Sequence, residues 1–187
     1  IGYDRTTQDL ILHSGTTARQ RMPVSTFEQT WARGDRWAVR VTSPAGLPRD
    51  ADPLRWARAV AALERVDPPA AYTAWSAALQ RWPDDRAALL GLGNAAYAMG
   101  QPERAAQAFE VAVRVHPDFA DAWHNLAQVR LELNLLPAAQ QAADRAVALG
   151  GLRLATYQAL QRQIAQHPPS SVSYTHLRAH ETSLHLV

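Results

Sequence analysis

The sequence contains no cysteine and no lysine, and no apolar run approaches the roughly 20 residues that a membrane-spanning helix needs. Without cysteine, the chain has neither a disulfide framework nor a thiolate ligand for zinc. All 19 basic residues are arginines, scattered among 17 acidic residues, so the net charge is only +2. Mixed charges are typical of a solvated helical surface, whereas nucleic-acid binding needs a clustered basic stripe. We therefore expect no nucleic-acid partner and no membrane span.

Catalytic and cofactor motifs are missing from the central part of the chain. Between residues 52 and 166 there is no Ser/His/Asp arrangement, no phosphate-binding glycine loop and no metal-ligand spacing. Gly91 and Gly93 weakly resemble a nucleotide-binding motif, but they fall inside a predicted helix, where Gly93 suits a close helix crossing. We expect no cofactor and no metal in this region.

The chain does contain one pattern that recurs at a fixed period. The period equals the spacing between Pro83 and Pro117. Counted from Arg86, the first copy contains Leu89, Leu92, Gly93, Ala105, Phe109, Ala112 and Pro117. Counted from Ala120, the second copy contains Trp123, Leu126, Ala127, Ala139, Ala143 and Ala146. The positions and the period resemble the tetratricopeptide repeat (TPR) of about 34 residues, in which W-x2-L-G-x2-Y precedes A-x3-F and a closing proline. The resemblance implies pairs of antiparallel helices that stack into a solenoid.

The same frame extends beyond the two clear copies. One unit earlier, the second helix is in register, whereas the first is degenerate because Arg55 stands where Trp or Leu is expected. After the third unit, Gly151 is predicted to end the helix. A further helix is expected to cover the open face with Leu152, Tyr157, Leu160 and Ile164.

The predicted fold is therefore mainly α, a TPR helix-turn-helix solenoid with about three repeats and a capping helix, preceded by a small truncated α+β remnant. The predicted units are residues 52–85, 86–119 and 120–151, and the capping helix is residues 152–166. Residues 43–51 read as a linker because they contain two prolines and a glycine without periodicity.

Residues 1–42 do not follow the helical repeat. Ile1–Tyr3 and Leu10–His13 predict two strands joined by a polar turn, and Arg19–Met22 predicts another. Ser25-Thr26-Phe27-Glu28 is a capping box that predicts a short helix from there to about Ala32. A closing strand is expected at Arg36–Val41.

The order of these elements resembles the C-terminal part of a C39-like, papain-fold cysteine peptidase domain. In that family a catalytic His opens a strand that reads roughly H-x-V-V-V-x-G-Y-D, and Ile1-Gly2-Tyr3-Asp4 is similar to its tail. The resemblance implies that the nucleophilic Cys and the His lie upstream and that this chain is not itself catalytic. His13 or Ser14 would hold the third triad position, although a solvent-facing residue at a strand end is the preferred interpretation of His13. Related peptidase-repeat proteins are often associated with the bacterial cell envelope, which is the location that the resemblance suggests.

The C-terminal residues 167–187 are predicted to be a disordered tail. Within it, residues 172–187 (VSYTHLRAHETSLHLV) resemble a translated sequencing-library adapter and are expected to be an artefact. The alternative is a metal site formed by His176, His180 and His185. The adapter accounts for every residue of the segment, whereas a metal accounts for three.

The groove is the candidate binding site that the TPR resemblance implies. In TPR modules the concave surface comes mainly from the first helix of each unit. The predicted groove residues are Asn94, Tyr97, His124, Asn125 and Gln128.

Asn94 and Asn125 occupy slots where the carboxylate clamps of TPR modules hold a peptide. The basic clamp slots contain Leu90, Ala155 and Ala159, which argues against the C-terminal peptide of a chaperone as the ligand. The expected partner is a protein or a neutral extended peptide, because an Asn amide both donates to and accepts from a peptide backbone. The alternative is that these amides are only solvated polar groups.

Three functions remain open from the sequence. The favoured one is a protein-interaction module attached to a bacterial C39-like peptidase domain. The second is part of an active cysteine peptidase whose repeats serve assembly. The third is a structural scaffold with a pseudo-peptidase domain.

Overall fold

The computed structural model describes residues 2–34 and 40–167, and the chain divides into two compact units, residues 1–41 and 42–187. In the first unit, β1 (Gly2–Asp4), β2 (Asp9–Ser14) and β3 (Thr17–Pro23) form an antiparallel sheet in the order β1-β2-β3, followed by α1 (Val24–Arg33).

Arg21 on β3 contacts Asp4 at 2.6 Å and Asp9 at 3.2 Å across the sheet. The hydrogen bond from Arg21 lowers the pKa of the Asp4 carboxyl. Among residues 2–34, no side chain is buried, so these elements do not close a core among themselves.

The helix α1 begins earlier than the capping box predicts. Ser25 lies inside the helix, and Pro23 occupies the cap position without any side-chain hydrogen bond to the helix. The strand β3 ends at Pro23 and α1 begins at the next residue, Val24. The Val24 N–H donates to the Gln8 carbonyl at 3.0 Å, and this hydrogen bond holds the start of the helix before Ser25. The predicted capping box is therefore wrong. Most of the predicted closing strand, namely residues 36–39, lies outside the described residues.

The second unit is a helical solenoid, as the repeat pattern predicts. Its described helices are α2 (Pro53–Glu64), α3 (Pro68–Arg81), α4 (Arg86–Ala98), α5 (Pro102–Val115), α6 (Ala120–Glu132), α7 (Leu136–Leu149) and α8 (Leu154–Ala165). Helices adjacent in sequence pack against each other, and α2 also contacts α4 while α6 also contacts α8. None of the helices in residues 2–34 and 40–167 has both the length and the apolar character to cross a membrane.

The first helix of the solenoid differs from the predicted register. Asp52 caps α2 by accepting from the Arg55 N–H at 2.9 Å, and Asp85 caps α4 in the same way, from the Ala88 N–H at 2.8 Å. The two caps are equivalent, and their separation along the sequence is one residue shorter than the repeat period. Trp56 lies as far after Asp52 as Leu89 lies after Asp85, so Trp56 corresponds to Leu89 at the start of the TPR signature. Trp56 is partly buried and donates its indole N–H to the carbonyl of Ala74 at 3.3 Å. The prediction that Arg55 stands at this position is wrong, because α2 is one residue shorter than α4.

The last helix also differs in detail. Tyr157, Leu160 and Ile164 are buried as predicted, but Leu152 is fully exposed because α8 begins only at Leu154. The helix α7 ends at Leu149, and Gly150 occupies its cap position with a φ of 69°, a conformation that glycine adopts without strain. Leu152 therefore lies in the connection and contributes no packing.

Small residues allow the helices of each unit to approach closely. The second helix of each unit carries alanines at the same two positions, and all of them are at most 1% exposed: Ala71, Ala78, Ala105, Ala112, Ala139 and Ala146. Phe109 and Trp75 are both buried, and their rings pack against α4. A Cβ on Gly93 would lie 2.3 Å from the Phe109 ring, and a Cβ on Gly91 would lie 2.3 Å from the Trp75 ring. The two glycines therefore have a packing role.

Candidate functional site

Two neighbouring helices, α4 and α6, each contribute two polar side chains to one groove. Asn94 and Tyr97 are three residues apart on α4, and Asn125 and Gln128 are three residues apart on α6. Residues at this spacing lie on the same face of a helix. The repeat places α4 and α6 in equivalent positions, so these faces are next to each other.

The four side chains line one concavity with a volume of about 160 Å³. Phe109 and Val129 complete the lining, and both are buried. The sequence pattern assigns Phe109 only to packing and does not single out Val129. Their apolar surface gives the groove a floor, while the amides and the phenol form its polar wall.

Hydrogen bonds connect the polar wall across the two helices. The Asn125 side-chain amide donates to Oδ1 of Asn94 at 3.0 Å. An amide group carries two donors and an acceptor with two lone pairs, so the pair keeps further donors and acceptors for a ligand. The Tyr97 hydroxyl donates to the Glu132 carboxylate, and this hydrogen bond is the main cause of the raised pKa of Tyr97. Glu132 is an exposed acidic residue beside this otherwise uncharged lining.

The structure does not bring His124 into this lining. Its side chain is only 6% exposed and its ring packs against Tyr157 of α8, with ring centroids 5.2 Å apart. His124 is the residue before Asn125 on α6, and one residue corresponds to about 100° around a helix, so its side chain lies toward α8. We interpret His124 as part of the packing under α8, in place of the groove role that the sequence suggested.

A polar network holds α8 against α6 beside this histidine. The Tyr157 hydroxyl and the Arg153 guanidinium each donate to Oδ1 of Asp121 at 2.8 Å. Burial, followed by the hydrogen bond to Asp121, raises the pKa of Tyr157 to about 12. Nδ1 of His124 is buried without a hydrogen-bond partner. Burial is the main cause of the lowered pKa of His124, with a further contribution from Arg153 that Asp121 opposes.

Acidification is expected to destabilise the solenoid through His124. The pKa of folded His124 lies below the ordinary value of 6.5, so the folded state binds fewer protons than the unfolded state as the pH falls below 6.5. Stability from the neutral imidazole is complete above pH 6.5 and is lost as the pH falls toward the folded pKa. Thermal unfolding followed by circular dichroism will therefore show a larger decrease in Tm between pH 7.5 and 5.5 for the parent than for His124→Leu. Equal decreases would contradict this assignment.

The two candidate triad residues lie at the end of β2. His13 and Ser14 both have exposed side chains, and the register of β2 with β3 is irregular between Leu12 and Ser14. Within the ranges 2–34 and 40–167, no group of three His, Cys, Asp or Glu side chains could hold a metal ion. His176, His180 and His185 lie outside the described residues.

The family comparisons agree with the repeat architecture. Two family models, both described as tetratricopeptide repeat, match residues 55–119 and 90–152, which together are more than half of the chain. Residues 55–152 therefore consist of tetratricopeptide repeats, the architecture of a protein-interaction module. No curated protein sequence matches this chain.

Solved TPR domains share the fold at low sequence identity. The TPR2B domain of yeast Sti1, in a complex with pHsp70, has a TM-score of 0.55 and 17% identity, and the match covers 60% of this chain and 98% of that one. The first TPR of Spaghetti (RPAP3), bound to the HSP90 peptide SRMEEVD, has a TM-score of 0.55 and 14% identity over 69% of this chain and 97% of that one. The Sgt2 TPR domain from Aspergillus fumigatus has a TM-score of 0.54 and 23% identity over 70% and 92%. At these identities the likeness concerns the fold alone.

Proposed function

We propose that the repeats bind an extended protein segment in the groove between α4 and α6. The observation that carries this proposal is the single lining formed by Asn94, Tyr97, Asn125 and Gln128 over an apolar floor. Backbone amides of an extended segment need both donors and acceptors, and side-chain amides supply both. The floor offers apolar contact to a small side chain of the ligand.

The lining does not suit a peptide that is held by its C-terminal carboxylate. None of its side chains is basic, and Leu90, which stands in a basic clamp slot, packs against the hydrophobic core. A carboxylate that is desolvated without a counter-ion is unfavourable. The acidic HSP90 peptide SRMEEVD bound by Spaghetti is therefore a poor guide to the ligand here. We propose an internal segment, without a terminal carboxylate, as the ligand.

Replacement of both asparagines is expected to weaken the binding of the ligand. A selection of phage-displayed random peptides on the full chain would supply a ligand, and fluorescence anisotropy would measure its affinity. The variant Asn94→Ala/Asn125→Ala loses at least two hydrogen bonds to the ligand, each worth about 0.5–1.5 kcal/mol, so Kd rises about fivefold or more.

The matched control is Gln107→Ala, which removes an exposed amide from α5, outside the groove lining. Its Kd is expected to equal that of the parent. An unchanged Kd for the double-asparagine variant would remove the groove proposal, because the ligand would then be bound elsewhere.

For the first unit, we propose an origin in a C39-like peptidase domain. The support is the hairpin and helix that follow Ile1-Gly2-Tyr3-Asp4 in the order of that family, together with the absence of buried side chains in residues 2–34. A sheet whose apolar residues are only half-buried is consistent with one part of a larger domain. The alternatives remain an active peptidase or an inactive scaffold.

The gene sequence upstream of Ile1 separates these alternatives. A Cys in a Q-x-x-x-C-like context together with a His just before Ile1 would support proteolysis, and the lack of either would exclude it. The same genomic sequence tests the adapter interpretation of residues 172–187, which lie outside the described residues. That interpretation holds if the genomic reading frame departs from this chain near Val172.

A further inference from the structure

We propose that the segment bound in the groove carries an Arg or Lys side chain that pairs with Glu132. This inference rests on the proposed function and specifies the chemistry of its ligand. It follows from the position of Glu132 at the end of the polar wall and, within the described residues, from the absence of any ion pair that would neutralise it.

Glu132 continues the row of groove residues along α6. It is four residues after Gln128, which places both side chains on one face of the helix. The Tyr97 hydroxyl, which lines the groove from α4, donates to Oε1 of Glu132. A segment that contacts Tyr97 and Gln128 therefore lies within reach of the carboxylate.

The local field at this end of the groove favours a positive charge. The helix α4 ends at Ala98 and α6 ends at Glu132, so Tyr97 and Glu132 both lie in the last turn of their helices. The C-terminus of a helix carries a partial negative charge, which adds to the charge of the carboxylate and stabilises a cation placed there. An acidic ligand side chain at the same place would be repelled.

No basic side chain in the described part of the chain pairs with Glu132. Among residues 2–34 and 40–167, no ion pair involves Glu132. The nearest basic residue on α6, Arg130, is engaged by Glu110 at 2.9 Å and by the Ala138 carbonyl at 3.3 Å. The carboxylate accepts one hydrogen bond from Tyr97 and retains acceptor sites for a ligand cation.

Two defined probes test this inference on the full chain labelled with ¹⁵N. The probes are acetyl-Ala-Ala-Arg-Ala-Ala-amide and the same peptide with Glu in place of Arg, neither of which has a terminal carboxylate. The side-chain amide resonances of Asn94 and Asn125 report groove binding during each titration. We expect the Arg probe to bind about three- to fivefold more tightly than the Glu probe, the size of a partly exposed ion pair. The preference should disappear in Glu132→Gln, which keeps the acceptor for Tyr97 without the charge.

The outcomes separate the two proposals. Equal Kd values for the two probes in the parent, with both asparagine resonances shifted, would overturn the charge preference and leave groove binding intact. A preference that persists in Glu132→Gln would place the cation elsewhere and overturn the role of Glu132. Titrations that leave both asparagine resonances unchanged, with either probe, would contradict groove binding and the inference that rests on it.

Discussion

The substitution Ala112→Arg is expected to unfold the central repeat. Ala112 is fully buried on α5, and its methyl group allows close packing of the helices of its unit. An Arg side chain at this position overpacks the core, which costs about 1–3 kcal/mol, and also buries an unpaired charge, which costs more. The sum is comparable to the whole stability of a small domain, typically about 5–15 kcal/mol. Circular dichroism will show loss of the cooperative thermal transition or a Tm lowered by more than about 15 °C.

The sequence offers a matched control for this substitution. Ala148 is exposed on α7, and it stands one repeat period after Arg114, so the preceding unit already carries an arginine at the equivalent position. We expect Ala148→Arg to retain the Tm of the parent. If Ala112→Arg also melted like the parent, the repeat frame and the packing derived from it would be incorrect.

The pair Gly93 and Phe109 is expected to show strong coupling in a double-mutant cycle. Phe109→Ala removes a buried ring and should cost about 3–5 kcal/mol. Gly93→Ala introduces a methyl group 2.3 Å from the Phe109 ring, a distance that requires the ring or helix to move. The expected cost is about 1–3 kcal/mol, despite the higher helix propensity of alanine. In the double variant the new methyl group occupies space that the ring has left.

The double variant should therefore be more stable than the sum of the single effects predicts, by about 1–3 kcal/mol. The third unit supports this expectation, because Ala127 and Ala143 occupy the positions that correspond to Gly93 and Phe109. In that unit α6 has an alanine in place of the glycine, and α7 has no aromatic ring at the position that faces it. Urea denaturation of the four proteins measures the coupling, and strictly additive free energies of unfolding would contradict the packing role of Gly93.

The fold was predictable because each unit repeats the same steric requirements. The alanines at Ala105 and Ala112 recur in the next unit, and paired helices explain small residues at those offsets. The register of α2 was not predictable from the period alone. Asp52 and Asp85 are equivalent caps whose separation falls short of the period by a single residue, and only the cap hydrogen bonds show that Trp56 matches Leu89.

The groove was partly predictable, for a reason that concerns helix faces. Four predicted residues line it because the TPR frame assigns them to the inner face of α4 and α6. His124 lies elsewhere because α8 covers that side of α6 and buries the ring against Tyr157. The contribution of Phe109 to the floor depends on the gap between two helices, which a single-helix pattern does not contain.

The central claim is that the concave face of α4 and α6 holds the ligand. A crystal structure of the full chain with a selected peptide tests it most directly. The account predicts an extended peptide whose backbone amides contact Asn94 and Asn125, with its basic side chain beside Glu132. A peptide bound instead on the outer surface, at the exposed Val111 and Val115 of α5, would contradict it.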